Sequence, residues 1–222
     1  MTRSRLLALG LVWVAGCSSD GKNGSAGTPP PDPGSIAEAP TPAIHVDTYV
    51  AAGDLAASRG HFGRAAQQYE QALKARPQDA PIAKKLALTY VKGNQLPAAI
   101  EAWKKYLVAA KHADDAYGSL GYAYELAGKP ADAEATYQAG IAAHPTGPLT
   151  HVNYGLMRVR RNDVDGAVKV LSAVLKPPEV NYNIAGVYAQ IGRPDLAQFY
   201  YKRALECDPG FVPARQKLSM VE

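Results

Sequence analysis

Cysteine is almost absent from this 222-residue chain: Cys17 and Cys207 are the only two. Two isolated cysteines exclude a paired-cysteine metal motif, and Cys207 reads as an incidental thiol rather than a nucleophile. No long hydrophobic run is present either. Leu6 to Ala15 is apolar apart from Gly10, well short of the roughly 20 residues that span a bilayer. An excess of one charge is also missing. Lys and Arg total 24 against 20 Asp and Glu, a formal +4, so the footprint of a nucleic-acid binder is not there. There is no phosphate-cradling glycine loop, no helical His pair with Glu, and no serine elbow. The five histidines (His45, His61, His112, His144 and His151) are scattered and read as exposed or capping side chains. The lysines Lys84, Lys85, Lys92, Lys104 and Lys105 are spread along helical stretches as a solvated face. The chain therefore gives no grounds to expect catalysis, a cofactor, a metal or a small-molecule substrate.

What is present begins with a short basic start, Arg3 and Arg5, followed by the brief apolar run and small residues. That is the layout of an export signal. Val14-Ala15-Gly16-Cys17 resembles the lipobox of bacterial lipoproteins, with Val14 where leucine is common. The resemblance implies cleavage before Cys17, lipidation of its sulfur and acylation of the new amine, which leaves a net charge of +2 and no intrachain disulfide. Residues 18–44 are rich in Gly, Pro and small polar residues, including Pro29, Pro30, Pro31, Pro33, Pro40 and Pro42. Such a composition buries too little apolar surface to offset chain entropy and predicts a disordered tether. Flexible-chain scaling gives it a reach of roughly 28 Å. More than one acyl chain makes anchoring durable. Ser18 and Ser19 after the cysteine resemble outer-membrane sorting, so the expected location is the cell envelope, at the outer membrane facing the periplasm.

From His45 onward the composition is helix-forming, punctuated by Gly or Pro about every dozen residues. Segments recur: Gly60 to Ala65, Gly128 to Ala133 and Gly192 to Ala197, each followed four residues later by Tyr69, Tyr137 or Tyr201. Aligned on the alanine, Ala65, Ala99, Ala133, Ala167 and Ala197 are separated by 34, 34, 34 and 30 residues. A second column, Gly53, Ala87, Gly121, Gly155 and Ala185, has the same intervals. Small residues let two helices approach, and the aromatic on the second helix fills the groove between them. This resembles the tetratricopeptide repeat family. The resemblance covers residues 46–79, 80–113, 114–147, 148–177 and 178–211, and implies an all-α, right-handed superhelical solenoid of five helical hairpins. Residues 212–222 are expected to form a polar capping helix. Tyr69, Tyr90, Tyr124, Tyr137, Tyr188 and Tyr201 fall in packing columns. Repeat two carries Tyr106 at a usually small position, with Gly93 one place early and Lys111 for the closing proline. Repeat four lacks both turn glycine (Asn162) and closing proline, and is four residues short, about one helical turn. Its second helix should be shortened and the superhelix should change curvature there.

In this family the first helix of each repeat lines the inner groove. Carried over by position, the binding candidates are Lys84, Lys85 and Leu88 in repeat two, and Tyr122 and Glu125 in repeat three. Repeat four adds Val152, Asn153, Leu156 and Arg160, and repeat five Tyr182, Asn183 and Gln190. Asn153 and Asn183 share a position in adjacent repeats. An amide there both donates and accepts, so it suits the backbone of an extended peptide. The column is incomplete, with Ala51, Lys85 and Ser119 in the other repeats. The expected function is protein binding by a membrane-anchored scaffold. The architecture is similar to the repeat lipoproteins of tight-adherence pili and to type IV pilotins, which implies assembly of a pilus or secretion complex. The alternative is a scaffold for exopolysaccharide export or outer-membrane protein biogenesis.

Overall fold

A computed structural model of the chain describes residues 45–220; Cys17, the export signal and the tether lie outside them. Among the described residues there are eleven helices and no strands. Five hairpins follow one another: α1 (Val46–Ser58) with α2 (Phe62–Ala75), α3 (Ala80–Lys92) with α4 (Leu96–Ala109), and α5 (Asp114–Leu126) with α6 (Pro130–Ala143). Then come α7 (Pro148–Arg160) with α8 (Val164–Leu171), α9 (Pro177–Gln190) with α10 (Pro194–Cys207), and α11 (Val212–Leu218) as a cap. The array is a superhelical solenoid. Below, the first helix of each hairpin is its A helix and the second its B helix.

Every hairpin turn needs one residue in the left-handed region. Gly60, Gly128 and Gly192 supply it in repeats one, three and five. Asn94 (φ 54°) and Asn162 (φ 63°) supply it in the other two. Asparagine is among the few residues with a side chain that tolerate this conformation, so repeats two and four keep the turn without a glycine at that place. Lys111 (φ 52°) and His112 (φ 58°) make a second left-handed stretch where repeat two lacks its proline.

Within each hairpin the two predicted columns meet. Tyr69, Trp103, Tyr137, Leu171 and Tyr201 are all at most 3% exposed. A Cβ at Gly53 would come within 2.5 Å of the Tyr69 ring, and Gly121 and Gly155 lie just as close under Tyr137 and Leu171. The aromatic lies flat where the small residue leaves room. Tyr90 and Tyr124, expected in the core, are only half-buried; they flank the core rather than fill it. The expected shortening of repeat four is present: α8 has 8 residues where α2, α4, α6 and α10 each have 14. The cap buries Ala214.

The stacking is not uniform. Helix α3 rests on α2 and α5 rests on α4, but α7 packs mainly against α5 and only lightly against α6. The cause is local. At position 118 of α5 there is no side chain, and the backbone of Leu149 in α7 passes 3.4 Å from where a Cβ would sit. The equivalent residues in the other repeats are Val50, Lys84, Val152 and Tyr182. The buried core divides accordingly. One cluster runs from Ala56 to Ala123 and another from Val159 to Ala214, with the small group of Ala133, Tyr137, Tyr154 and Met157 between them.

Candidate partner-binding groove

The A helices carry most of the polar side chains singled out in the sequence, and many of these are already engaged by a neighbouring repeat. The Lys85 Nζ donates to both carboxylate oxygens of Asp54 at 2.7 Å, and the Tyr69 hydroxyl donates to the same group at 2.7 Å. The Lys84 Nζ reaches Asp115 at 2.7 Å, joined by the Tyr106 hydroxyl at 2.6 Å. Arg160 donates to Glu125 at 2.7 Å, and the Tyr137 hydroxyl donates to Glu125 at 2.6 Å. On the B-helix side, Tyr154 donates to Glu134 at 2.7 Å beside Arg158 and Arg161. The motif is the same each time: a tyrosine, a carboxylate and a cation, drawn from two adjacent repeats.

The electrostatics agree. Burial pushes the Asp54 and Asp115 carboxyls up, but the lysine and tyrosine hydrogen bonds outweigh it and leave both below the usual carboxylate range. The hydrogen bond from Tyr154 holds Glu134 low. Burial, then the carboxylate, pushes the Tyr69 and Tyr137 hydroxyls up, and Tyr90 beside Glu70 up to about 12. These tyrosines are fixed donors at physiological pH. Their role is to hold repeats together, since a charge-assisted hydrogen bond out of full solvent is stronger than a neutral one.

The asparagine pair is engaged as well. The Asn153 Nδ2 donates to the Gly118 carbonyl across the α5–α7 contact at 3.1 Å. The Asn183 Nδ2 donates to Glu179 of its own helix at 2.8 Å. Tyr182 packs against Tyr201 and Phe211, with ring centroids 5.7 Å away in each case. Val152 and Leu156 are half-buried beside the C-terminal core. Leu88, Tyr122 and Gln190 are exposed, the first two at 43% and 44%.

Two clefts on the A-helix face meet at Gln190. One, about 570 Å³, is lined by Tyr122, Glu125, Leu126, Met157, Arg160, Arg161 and Gln190, with Gly128 and Pro130. The other, about 380 Å³, is lined by Leu156, Tyr182, Asn183, Gly186, Gln190, Tyr201, Lys217 and Met220, among others. The structure thus places Tyr122, Glu125 and Arg160 on one cleft and Leu156, Tyr182 and Asn183 on the next, with Gln190 on both, and the two together form the trough along α5, α7, α9 and the cap. Lys84, Lys85 and Leu88 lie on α3, outside both clefts. Sequence reasoning missed Leu126, Arg161, Lys217 and Met220. Leu126 sits one residue after Glu125, at a position of the same groove column. Lys217 and Met220 belong to the cap, for which the sequence suggests a solvating role alone.

The histidines divide. The His45 side chain caps α1, and His112 and His144 stand at helix ends. His151, expected to be exposed or capping, is 4% exposed and donates from Nδ1 to the Gly147 carbonyl at 2.8 Å. The ring lies on the face of α7 turned toward α6 and α8, which shield it. Cys207 is exposed. Among the described residues no group of His, Cys, Asp and Glu is placed to hold a metal ion, and no helix is long and apolar enough to cross a membrane.

A stack of helical hairpins with a side-chain-lined trough defines a repeat solenoid. Two models described as tetratricopeptide repeat match residues 50–85 and 84–148, and 178–211; the chain belongs to the tetratricopeptide repeat family. The shortened fourth repeat lies outside those matches. Among solved structures the chain is similar to the MamA protein (27% identity over 74% of this chain and 92% of that one, TM-score 0.55). It is also similar to TTC0263, a thermophilic repeat protein of Thermus thermophilus (22%, 80% and 98%, TM-score 0.54). A third is YrrB, a repeat protein with an unusual peptide-binding site (20%, 79% and 92%, TM-score 0.50). No curated protein sequence matches the chain.

Proposed function

We propose that this chain is a protein-binding scaffold that grips an extended segment of its partner in the trough on α5, α7 and α9. The observation that carries this reading is the junction of the two clefts at Gln190, where exposed Tyr122 and Leu126 stand beside Arg160 and Arg161. Apolar anchors next to a few charged groups are the usual make-up of a recognition groove. The α3 end of the same face, with Lys84, Lys85 and Leu88, lies outside both clefts. A protein of like fold, YrrB, has a peptide-binding site, which makes a peptide segment the ligand class to test first. The Oδ1 of Asn183, on the second cleft, remains an acceptor for a partner's backbone N–H.

The lipobox-like Val14-Ala15-Gly16-Cys17 supports a second part of the reading. Lipidated Cys17 holds the scaffold at a cell-envelope membrane, with assembly of a pilus or secretion complex as its task. Cys17→Ser should stop lipid labelling and release the protein from membranes; unchanged fractionation would discard the anchor. For the groove, crosslinked pull-down from native envelopes is compared between the wild type and a Tyr122→Ala, Gln190→Ala double variant. Both side chains are exposed, so helicity should hold while partner recovery falls about tenfold, equivalent to about 1.4 kcal/mol. Recovery at the wild-type level would place binding elsewhere.

A further inference from the structure

The slide of α7 toward α5 has left the flank of α6 uncovered on the opposite, B-helix side of the array. A cleft of about 540 Å³ opens there between α6 and α8, with α7 as its floor. Its walls are largely apolar: Ile141 and Ala142 on α6, Val170 on α8 and Ala173 just past it, with Gln138 and Lys169 as their polar side chains. Its floor is the buried ring of His151, fixed by its bond to Gly147, and the buried ring of Tyr154. At the junctions between repeats one, two and three, the corresponding B-helix flank is covered by the following A helix. The lining residues 138, 141 and 142 on α6 and 166, 169 and 170 on α8 are spaced as one face of each helix, and a third helix can pack between such ridges. A site of this size with apolar walls and few polar groups matches the general character of a binding cleft.

The charges select what fits. No acidic side chain lines the cleft among the described residues. Arg158 is paired with Asp163 and lies close to Glu134, so it is neutralised. Lys169 lines the cleft, is exposed, and forms none of the ion pairs of the described residues. We infer that this cleft is a second docking site, distinct from the trough, for an acidic amphipathic helix of a partner protein. Two aliphatic side chains one turn apart would enter between Ile141 and Val170, and a carboxylate would meet Lys169. Helix-in-groove recognition works through anchors spaced in this way, and neighbours three or four residues apart lie on one face.

The test uses a side-chain-stapled helical peptide of about 14 residues, a common helix length, with two leucines four apart and a flanking glutamate. A second peptide carries lysine in place of glutamate. Titrated into the isotope-labelled full chain, the acidic peptide should shift backbone amide signals of α6, α7 and α8, and the basic one should bind about tenfold more weakly. Lys169→Glu should reverse that order. Ala173→Trp, at an exposed position and so harmless to the fold, should abolish the shifts. Tyr122→Ala should leave them untouched, which separates this site from the trough. Absence of shifts at millimolar peptide, shifts confined to α5 and α9, or insensitivity to Ala173→Trp would each overturn the inference. So would a fatty-acid probe such as oleate shifting these signals when both peptides do not.

Discussion

The first three repeats and the last two obey the same column rules yet stack differently. In the N-terminal block each new A helix sits on the preceding B helix; at the third junction α7 leans on the preceding A helix instead. The small-residue column is alike on both sides and its partner column is buried on both, with Leu171 for an aromatic in repeat four, so the stacking mode is chosen elsewhere. At the third junction Gly118 lets the two A helices close. At the fourth, where Val152 stands, α9 also lies more on α7 than on α8, because α8 is shortened. Once α5 and α7 are close, Asp114 accepts from the Leu149 and Thr150 amides at 2.9 and 3.2 Å, and Asn153 donates to the Gly118 carbonyl. Hydrogen bonds thus fix in place what a missing side chain permits.

Four substitutions, one of them a control, probe this contrast. The largest effect belongs to Tyr137→Ala, which empties a fully buried site between the two blocks and should cost about 3–5 kcal/mol. Because repeats are coupled through nearest neighbours, amide exchange should accelerate most in α5 to α8 and least in α1 and α2. Uniform acceleration would show that the blocks unfold as one. Next comes Gly118→Leu, which forces a side chain into the α5–α7 contact. Overpacking should cost about 1–3 kcal/mol, set against a gain of up to about 1 kcal/mol in helix propensity. Val50→Leu at the matching place in the first repeat should change the urea midpoint far less. Equal shifts in the two variants would remove glycine as the cause of the different stacking.

The smallest effect is that of Lys84→Met, which breaks an ion pair in the N-terminal block. Such a partly exposed pair contributes at most about 1 kcal/mol. The folded Asp115 carboxyl lies below its usual value, so the pair stabilises above the ordinary carboxylate value of about 3.9. That contribution is lost as pH falls through the depressed value. The stability gap between Lys84→Met and the parent should therefore close on acidification. A gap independent of pH would mean that the lysine stem, and not its charge, supplies the stabilisation.

The hairpins were legible because their causes are local. The spacing of Gly53, Gly121 and Gly155 from Tyr69, Tyr137 and Leu171 is a statement about one hairpin, and four missing residues announce a short α8. The turns at Asn94 and Asn162 were less visible, since a tolerated left-handed asparagine looks like a lost glycine. The tyrosine–carboxylate–cation motifs were not legible. Lys84 and Asp115, or Glu125 and Arg160, are 31 and 35 residues apart, and only the stack brings them together. The motifs engage Lys84 and Lys85 on α3 and Arg160 on α7 alike, so the trough is set by where the clefts open along α5, α7 and α9.

By itself the amino-acid order determined the number of hairpins, their boundaries and the face each helix turns inward, because backbone propensity and side-chain periodicity act within one turn or one hairpin. Tertiary structure alone decided which polar side chains are left for a partner and where the array opens a cleft. Those outcomes depend on how closely one repeat settles on the next. An absent Cβ at position 118 sets that distance between α5 and α7, and the shortened α8 sets it between α7 and α9.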